Sequence, residues 1–264
     1  MVACALAPIY GEALTADDHV ALAHVRAHLL GVPCYQLSPA SLRLRVPGLT
    51  HMPWPDECFT GIPAYNRMML SAGLYSALSG YEYLLVCQLD ALVLSGEIAL
   101  WCAAGYDYVG APWLRDPKHP EQGFSRAGNG GFCLRRVSAF LSVLGQRGRS
   151  WAAMGRAVCA PLPDLVAVAP RQRWRKRMRI ARAVSVGVEQ YLARYGVHED
   201  QFWSDRAHLF DPAFRVAPPD VAVGFAFEVA PRYCYEANRR RLPFGCHAWA
   251  KYDRAFWEPY LITA

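Results

Sequence analysis

Four short groups of residues in this chain could do chemistry. The first is Gln88-Leu89-Asp90, which closes the apolar run Tyr83-Leu84-Leu85-Val86-Cys87. A buried strand that stops at a carboxylate places that carboxylate at the lip of the crevice beyond the strand ends, where α/β proteins bind ligands. One acid there suits a divalent cation carrying a diphosphate, since such a metal takes one or two carboxylates plus phosphate oxygens. Equally, Asp90 could only cap a helix beginning near Gly96. The second group, Gly128-Asn129-Gly130-Gly131-Phe132, permits positive φ and close backbone approach to a ligand, or forms a tight turn before a strand. Its spacing matches neither GxGxxG nor the Walker phosphate loop. The third, His198-Glu199-Asp200 before Gln201-Phe202-Trp203, offers a general base, or acids that cap a helix. One of the two acids is expected to cap while the other faces the site. The fourth is His247, in Pro243-Phe244-Gly245-Cys246-His247-Ala248-Trp249. An imidazole could supply the second protein ligand beside Asp90. Cys246 is a softer donor, less suited to phosphate-bound Mg²⁺ or Mn²⁺. Asn66, after Tyr65, either contacts a base or ribose or caps a helix.

These residues need a sheet to position them. Val2 to Ala7 reads as a strand that leads into Pro8-Ile9-Tyr10. Thr15-Ala16-Asp17-Asp18 starts a helix that runs to about Leu30, and Pro33 to Leu37 is a second strand. Strand, helix, strand at this spacing predicts a parallel sheet with right-handed crossovers. Residues 41–61 read as irregular and 63–78 as one helix. A short helix over 96–104, a strand over 106–110, a polar loop over 115–127, a strand over 131–134 and helices over 137–144 and 187–195 follow. Residues 151–185 change character and read as an insertion or small lobe within a single domain spanning 1–264. There is no internal repeat.

Composition narrows the function classes. More than half of the 264 residues are hydrophobic and 19% are charged, enough apolar material for a substantial core. Eight Trp and fourteen Tyr suit the walls of a ligand site. Nine Cys without a CxxC pair read as reduced, buried thiols. The N-terminus has no basic n-region, and no apolar run reaches membrane-spanning length, so the expected compartment is the cytoplasm. The net charge of +6 is concentrated in RQRWRKRMRIAR (171–182), which has seven basic residues and no acid. On a helix, Trp174, Met178 and Ala181 would share a face, a pattern suited to docking on an anionic membrane surface.

Taken in order, Pro8-Ile9-Tyr10, Tyr65-Asn66, Gln88-Leu89-Asp90-Ala91, Tyr106-Asp107-Tyr108-Val109-Gly110-Ala111-Pro112-Trp113, the glycine-rich loop, Glu199-Asp200-Gln201-Phe202-Trp203 and the segment 243–249 resemble a family catalogued as a domain of unknown function. Its members are assigned as GT-A-type glycosyltransferases linked to bacterial surface polysaccharides, lipopolysaccharide among them. The resemblance covers nearly the whole chain and is weakest over 151–185. It implies a GT-A-like, Rossmann-related fold: a mostly parallel sheet flanked by helices, with a basic helical insertion. It implies a nucleoside-diphosphate sugar donor, UDP-sugar favoured, with Tyr10, Asn66, Gln88, Asp90, Asn129, Gly130 and Gly131 at the donor. Gln88-x-Asp90 stands where such enzymes carry DxD, so the first Asp is replaced. Asp90 and His247 would hold Mn²⁺ or Mg²⁺, with Asp200 as first choice of base and Glu199 second, in an inverting transfer to a glycan or lipid-linked acceptor. The enzyme would be cytoplasmic, peripheral on the inner face of the cell membrane.

Two other classes compete. A non-catalytic nucleotide-sugar or glycan-binding module would keep the aromatics but has no need of Asp90, His247 and Asp200 together. A nucleic-acid binder would use Trp174 among the arginines, yet the rest of the chain has no basic stripe, so no nucleic-acid partner is expected.

Overall fold

The run that ends at Cys87 alternates sides as a doubly buried strand must. In the computed structural model, which describes residues 2–162, 165 and 168–262, Leu84 and Val86 enter one core cluster while Tyr83, Leu85 and Cys87 enter another. A strand buried on both faces lies within a sheet covered by helices on each side. The described strands are β1 (Ala3–Pro8), β2 (Cys34–Pro39), β3 (Thr50–Trp54), β4 (Tyr83–Cys87), β5 (Leu92–Val93) and β6 (Tyr108–Gly110). They continue with β7 (Pro112–Leu114), β8 (Phe124–Ala127), β9 (Phe132–Arg136), β10 (Ala226–Phe227) and β11 (Gly245–Cys246). Six of them form the main sheet, in the order β3-β2-β1-β4-β9-β6. β3, β2, β1 and β4 are parallel, and β9 runs antiparallel to both neighbours. The expected α/β architecture, a mainly parallel sheet with helices on both faces, is the one found.

The reversed strand and a small second sheet bring distant residues together. Because β9 is antiparallel to β4, Phe132 pairs with Cys87. The glycines preceding β9 therefore lie beside Gln88, whose backbone N–H donates to the Gly131 carbonyl at 2.9 Å. In the sheet β10-β11-β5, β10 and β11 are parallel with Phe227 opposite Cys246. Glu228 and His247, the next residue of each strand, consequently emerge side by side. β11 pairs with β5, Cys246 opposite Leu92, and the Trp249 N–H reaches the Asp90 carbonyl at 3.2 Å.

Local chemistry explains where the expected elements hold and where they shift. The first helix, Ala16–His28, opens with a capping box: Thr15 Oγ1 accepts from Asp18 N–H, and the Asp18 carboxylate accepts from Thr15 N–H. The single helix expected over 63–78 is instead two, Ile62–Met69 and Ala72–Ala77, with Ser71 extended between them. The buried Tyr75 hydroxyl donates to the Met69 carbonyl at 2.7 Å, satisfying a group the break exposes. The stretch read as irregular holds β3. Its Pro53 argues against a central strand, but β3 is an edge, where proline is tolerated. The loop over 115–127 holds β8, hairpinned on β7.

Within 151–185, residues 163, 164, 166 and 167 lie outside the described residues. The helices Trp151–Cys159 and Pro170–Val184 flank them and pack on each other. Ala153, Ala157, Ala181 and Val184 are buried in the same cluster as Leu84. The stripe of Trp174, Met178 and Ala181 thus turns from solvent into the core: Ala181 is buried, Met178 half-buried, and only Trp174, 57% exposed, faces out. Arg177 also points inward. Its Nη1 donates to the carbonyls of Ala157, Val158 and Ala160 at 3.0, 2.8 and 2.7 Å, capping the end of the neighbouring helix. Among the described residues no helix is long and apolar enough to cross a membrane.

Candidate functional site

At the carboxyl end of β4 opens a cleft of about 660 Å³. Tyr10, Gln88, Asn129, Asp200 and His247 line it, so sequence-predicted residues from five distant segments meet in one place, with Asp90 against His247 outside the lining itself. The centre of one wall is His247. Its Nδ1 lies 2.9 Å from Glu228 Oε1, and its Nε2 lies 3.3 Å from Asp90 Oδ1 and 3.3 Å from Gln88 Oε1. A carboxylate on one ring nitrogen fixes the tautomer that directs the other nitrogen's lone pair outward, the arrangement seen around metal-bound imidazoles. Burial alone would lower the His247 pKa, but Asp90 and Glu228 outweigh it and push it up to about 9. The two carboxylates thus favour a positive charge at the ring, whether a proton or a cation. Burial opposes the ionised form of Asp90, yet its hydrogen bond to His247 keeps its pKa below the ordinary value.

Asp90 and His247 fit one hard divalent cation. Donors 3.3 Å apart can both reach an ion at ordinary ligand distances of about 2.0–2.2 Å. The Asp90 side chain is 53% exposed, open to an ion and its other ligands. Among the described residues no three His, Cys, Asp or Glu side chains form a complete set, so such an ion would draw its remaining ligands from substrate oxygens and water. Cys246 is fully buried in an apolar cluster with Leu92 and Phe227, and burial pushes its thiol pKa far up.

Across the glycine-rich loop stands Asp200, in the first turn of the helix Glu199–Asp205. Its carboxylate accepts from Gln201 N–H at 2.7 Å and Gly130 N–H at 3.3 Å. Burial raises its pKa to about 6, against these hydrogen bonds. Glu199 is placed quite differently. It is buried, and both its oxygens are taken by the fully buried Arg135, at 2.7 and 3.1 Å. Arg135 Nη1 also donates to the Tyr75 hydroxyl at 2.9 Å. The glutamate read as a second candidate base is thus the anchor of its helix. His198, at the cap position, makes no capping bond with its side chain, and of the two acids only Asp200 reaches a first-turn N–H, that of Gln201. Asn66 also approaches, mid-helix in Ile62–Met69, its Oδ1 3.5 Å from the Glu199 N–H. Asn66 does not cap its own helix, as one reading had it; it approaches the first turn of a helix more than a hundred residues away.

The loop itself departs from expectation. Its N–H groups do not stand free for a ligand: Gly130 donates to Asp200, and Gly131 to Asn129 Oδ1 at 2.9 Å. The glycines make room for protein. A Cβ on Gly131 would sit 2.1 Å from the His247 ring, and one on Gly130 would sit 2.5 Å from Glu199 Oε1. Asn129 Nδ2 donates to Glu228 Oε1 at 2.9 Å, tying the loop to the imidazole's partner. Glu228 and Arg135 are the residues that sequence reasoning missed. Glu228 follows the two-residue β10 and Arg135 lies within β9, and neither stands in a pattern that marks it.

The family described as Protein of unknown function (DUF5672) matches residues 48–247, a span that holds every sequence-predicted site residue except Tyr10 and ends on His247. The chain belongs to the DUF5672 family. No curated protein matches it. Among solved structures it is similar to the galactosyltransferase LgtC bound to donor and acceptor sugar analogues, at 14% identity and a TM-score of 0.40. That alignment covers 92% of this chain and 86% of LgtC. It is also similar to the apo glycosyltransferase GlyE of Streptococcus pneumoniae TIGR4, at 11% identity and a TM-score of 0.47, over 100% of this chain and 61% of GlyE.

Proposed function

We propose that this DUF5672 chain is a GT-A-like glycosyltransferase. It would move a sugar from a nucleoside-diphosphate sugar, UDP favoured, to a hydroxyl of a glycan or lipid-linked acceptor, with inversion. The observation that carries the reading is one cleft lined by Asp200, with a pKa near 6, and, across Gly130-Gly131, by His247, whose Nε2 meets Asp90 at a spacing suited to one cation. Asp90 and His247 would hold Mn²⁺ or Mg²⁺, which when bound neutralises charge on the departing diphosphate. Glu228 and Asn129 hold the imidazole and the loop in place. Tyr10 and Trp113 line the cleft as aromatic walls, and Lys251 adds a cation at its rim. Asp200 accepts the proton of the acceptor hydroxyl as its oxygen bonds to the anomeric carbon and the bond to the diphosphate breaks. A base acting directly in this way gives inversion.

Nucleoside diphosphates test the reading directly. With Mn²⁺, UDP at about a hundred times its Kd should raise Tm by roughly 5–10 °C, and should do far less with EDTA. UDP-sugars should be slowly hydrolysed under the same conditions. If no nucleoside diphosphate stabilises the protein with either cation and no UDP-sugar is turned over, the proposal fails. Stabilisation without turnover points to the binding-module alternative.

The segment 151–185 is proposed as a membrane-docking lobe of a single cytoplasmic domain. Arg171, Arg175, Lys176, Arg179 and Arg182 are exposed around Trp174. Each basic residue near an anionic surface contributes about 1 kcal/mol, weakened by salt. Vesicles containing phosphatidylserine should co-sediment the protein at low salt, while neutral vesicles should not. Changing Arg171, Arg175, Lys176 and Arg179 to Gln should abolish binding; Arg177 stays, because its loss would uncap a helix. Equal recovery in the supernatant with and without anionic lipid sinks the idea.

A further inference from the structure

The catalytic cleft does not end at Asp200. A second hollow of about 680 Å³ shares Ile62, Asn66 and His198 with it. A third, of about 320 Å³, shares Tyr195, Gly196 and Val197 with the second and ends at Arg179 and Ile180 of the basic helix. Taken together, the three adjoining hollows follow residues 189–200 as a trough. Its middle is apolar: Ile62 is 64% exposed and Val197 46% exposed, with Leu70 and Leu192 behind them. Exposed apolar side chains aligned beside a polar site mark a surface that is covered when the protein works. Beyond the cleft, whose own acids are Glu199, Asp200 and Glu228, the charged side chains of the second and third hollows are Arg67, Arg179 and Arg194 against Glu189. Arg67 lines the part next to the cleft.

We infer that this trough holds the apolar chain of an anionic, lipid-linked acceptor. The acceptor's sugar hydroxyl lies at Asp200, its phosphate meets Arg67, and its chain follows Ile62, Leu192 and Val197 toward the basic helix. The identity of the occupant as an acceptor rests on the transfer reading. The trough's preference for an amphiphile with a phosphate group rests on apolar exposure and charge. A free glycan would leave the apolar stretch uncovered, and a neutral lipid would leave Arg67 unmatched.

Calorimetric titration with dodecyl phosphate below its micelle concentration tests this without donor or cation. Binding should be saturable. Ile62→Asp and Val197→Asp, both at exposed positions that tolerate a carboxylate without unfolding, should each weaken it at least tenfold. Arg67→Gln should weaken dodecyl phosphate several-fold and leave dodecyl maltoside unchanged. Circular dichroism confirms that each variant is folded. Absence of saturable binding, or wild-type affinity in both Asp variants, overturns the inference. An equal response of both amphiphiles to Arg67→Gln overturns the phosphate placement. If UDP fails to respond to Mn²⁺ while dodecyl phosphate still binds, the transfer reading alone is lost and the trough stands.

Discussion

Asp200→Asn should reduce turnover by about a hundredfold or more while leaving Mn²⁺-dependent UDP binding nearly intact. The expected loss is the usual scale for removing a general base, about 2.7 kcal/mol of barrier. The substitution keeps the side chain's size, and its amide oxygen can still accept from Gln201 N–H, while the longer bond from Gly130 N–H to the second carboxylate oxygen is lost. Basicity is what disappears. The pH profile gives a readout that a structural role would not. Burial holds the Asp200 pKa at about 6, so the carboxyl is protonated, and useless as a base, below that value. Wild-type kcat/KM should therefore rise with pH through about 6 and then level off, and in the Asn variant that acid limb should vanish. Glu199→Gln makes the contrasting variant. It weakens a buried ion pair with Arg135, so it should cost stability and affect activity only through the position of the helix. If UDP affinity falls in step with turnover in Asp200→Asn, Asp200 is a binding residue. If Glu199→Gln is the variant that folds normally and is dead, the two roles are reversed.

The contrast between these neighbouring acids measures what a sequence can disclose. Glu199-Asp200 reads as an acidic pair at an element boundary, and the structure puts it there. Which acid is tied up depends on Arg135, sixty-four positions earlier in β9. A fully buried arginine is rare, and nothing local in Phe-Cys-Leu-Arg-Arg announces one. Asp90 is legible because a run of five buried residues stops three positions before it. Its partner His247 stood out among glycine and aromatics. Glu228 did not, because β10 and β11 are two residues long, too short for any periodic pattern, and only their pairing sets residues 228 and 247 side by side. The glycine-rich loop was recognised as a place of close approach, but the approaching groups are the His247 ring and the Glu199 carboxylate. Glycine in a sequence signals crowding without saying by what. The same limit applies to the basic helix. Its charge was plain, but the inward turn of Arg177 and Ala181 follows from a neighbouring helix whose carbonyls need donors.

Asp90→Ala should abolish Mn²⁺-dependent UDP binding and, with it, detectable transfer. This hypothesis rests on the 3.3 Å approach of Asp90 Oδ1 to His247 Nε2 and on the scarcity of other donors. With two protein ligands, losing one leaves an ion held by a lone imidazole and substrate oxygens, too little for a hard cation. The fold should tolerate the change, since the Asp90 side chain is half exposed and its structural hydrogen bond, to the Trp249 N–H, comes from its backbone carbonyl. Glu228→Gln separates ligation from orientation. Glutamine can still accept from His247 Nδ1–H or from Asn129 Nδ2, but without the charge that holds the ring. Loss of such a supporting carboxylate typically costs about 10–100-fold in metal affinity. The Glu228→Gln variant should accordingly bind Mn²⁺ with UDP more weakly by that factor and recover activity when Mn²⁺ is raised, whereas Asp90→Ala should not recover at any concentration. Isothermal titration of Mn²⁺ into each UDP-saturated variant makes the comparison. Wild-type Mn²⁺ affinity in Asp90→Ala, or wild-type activity with EDTA present, would mean that no cation works at this pair and that the charge of the diphosphate is met by Lys251 and the protonated His247 instead.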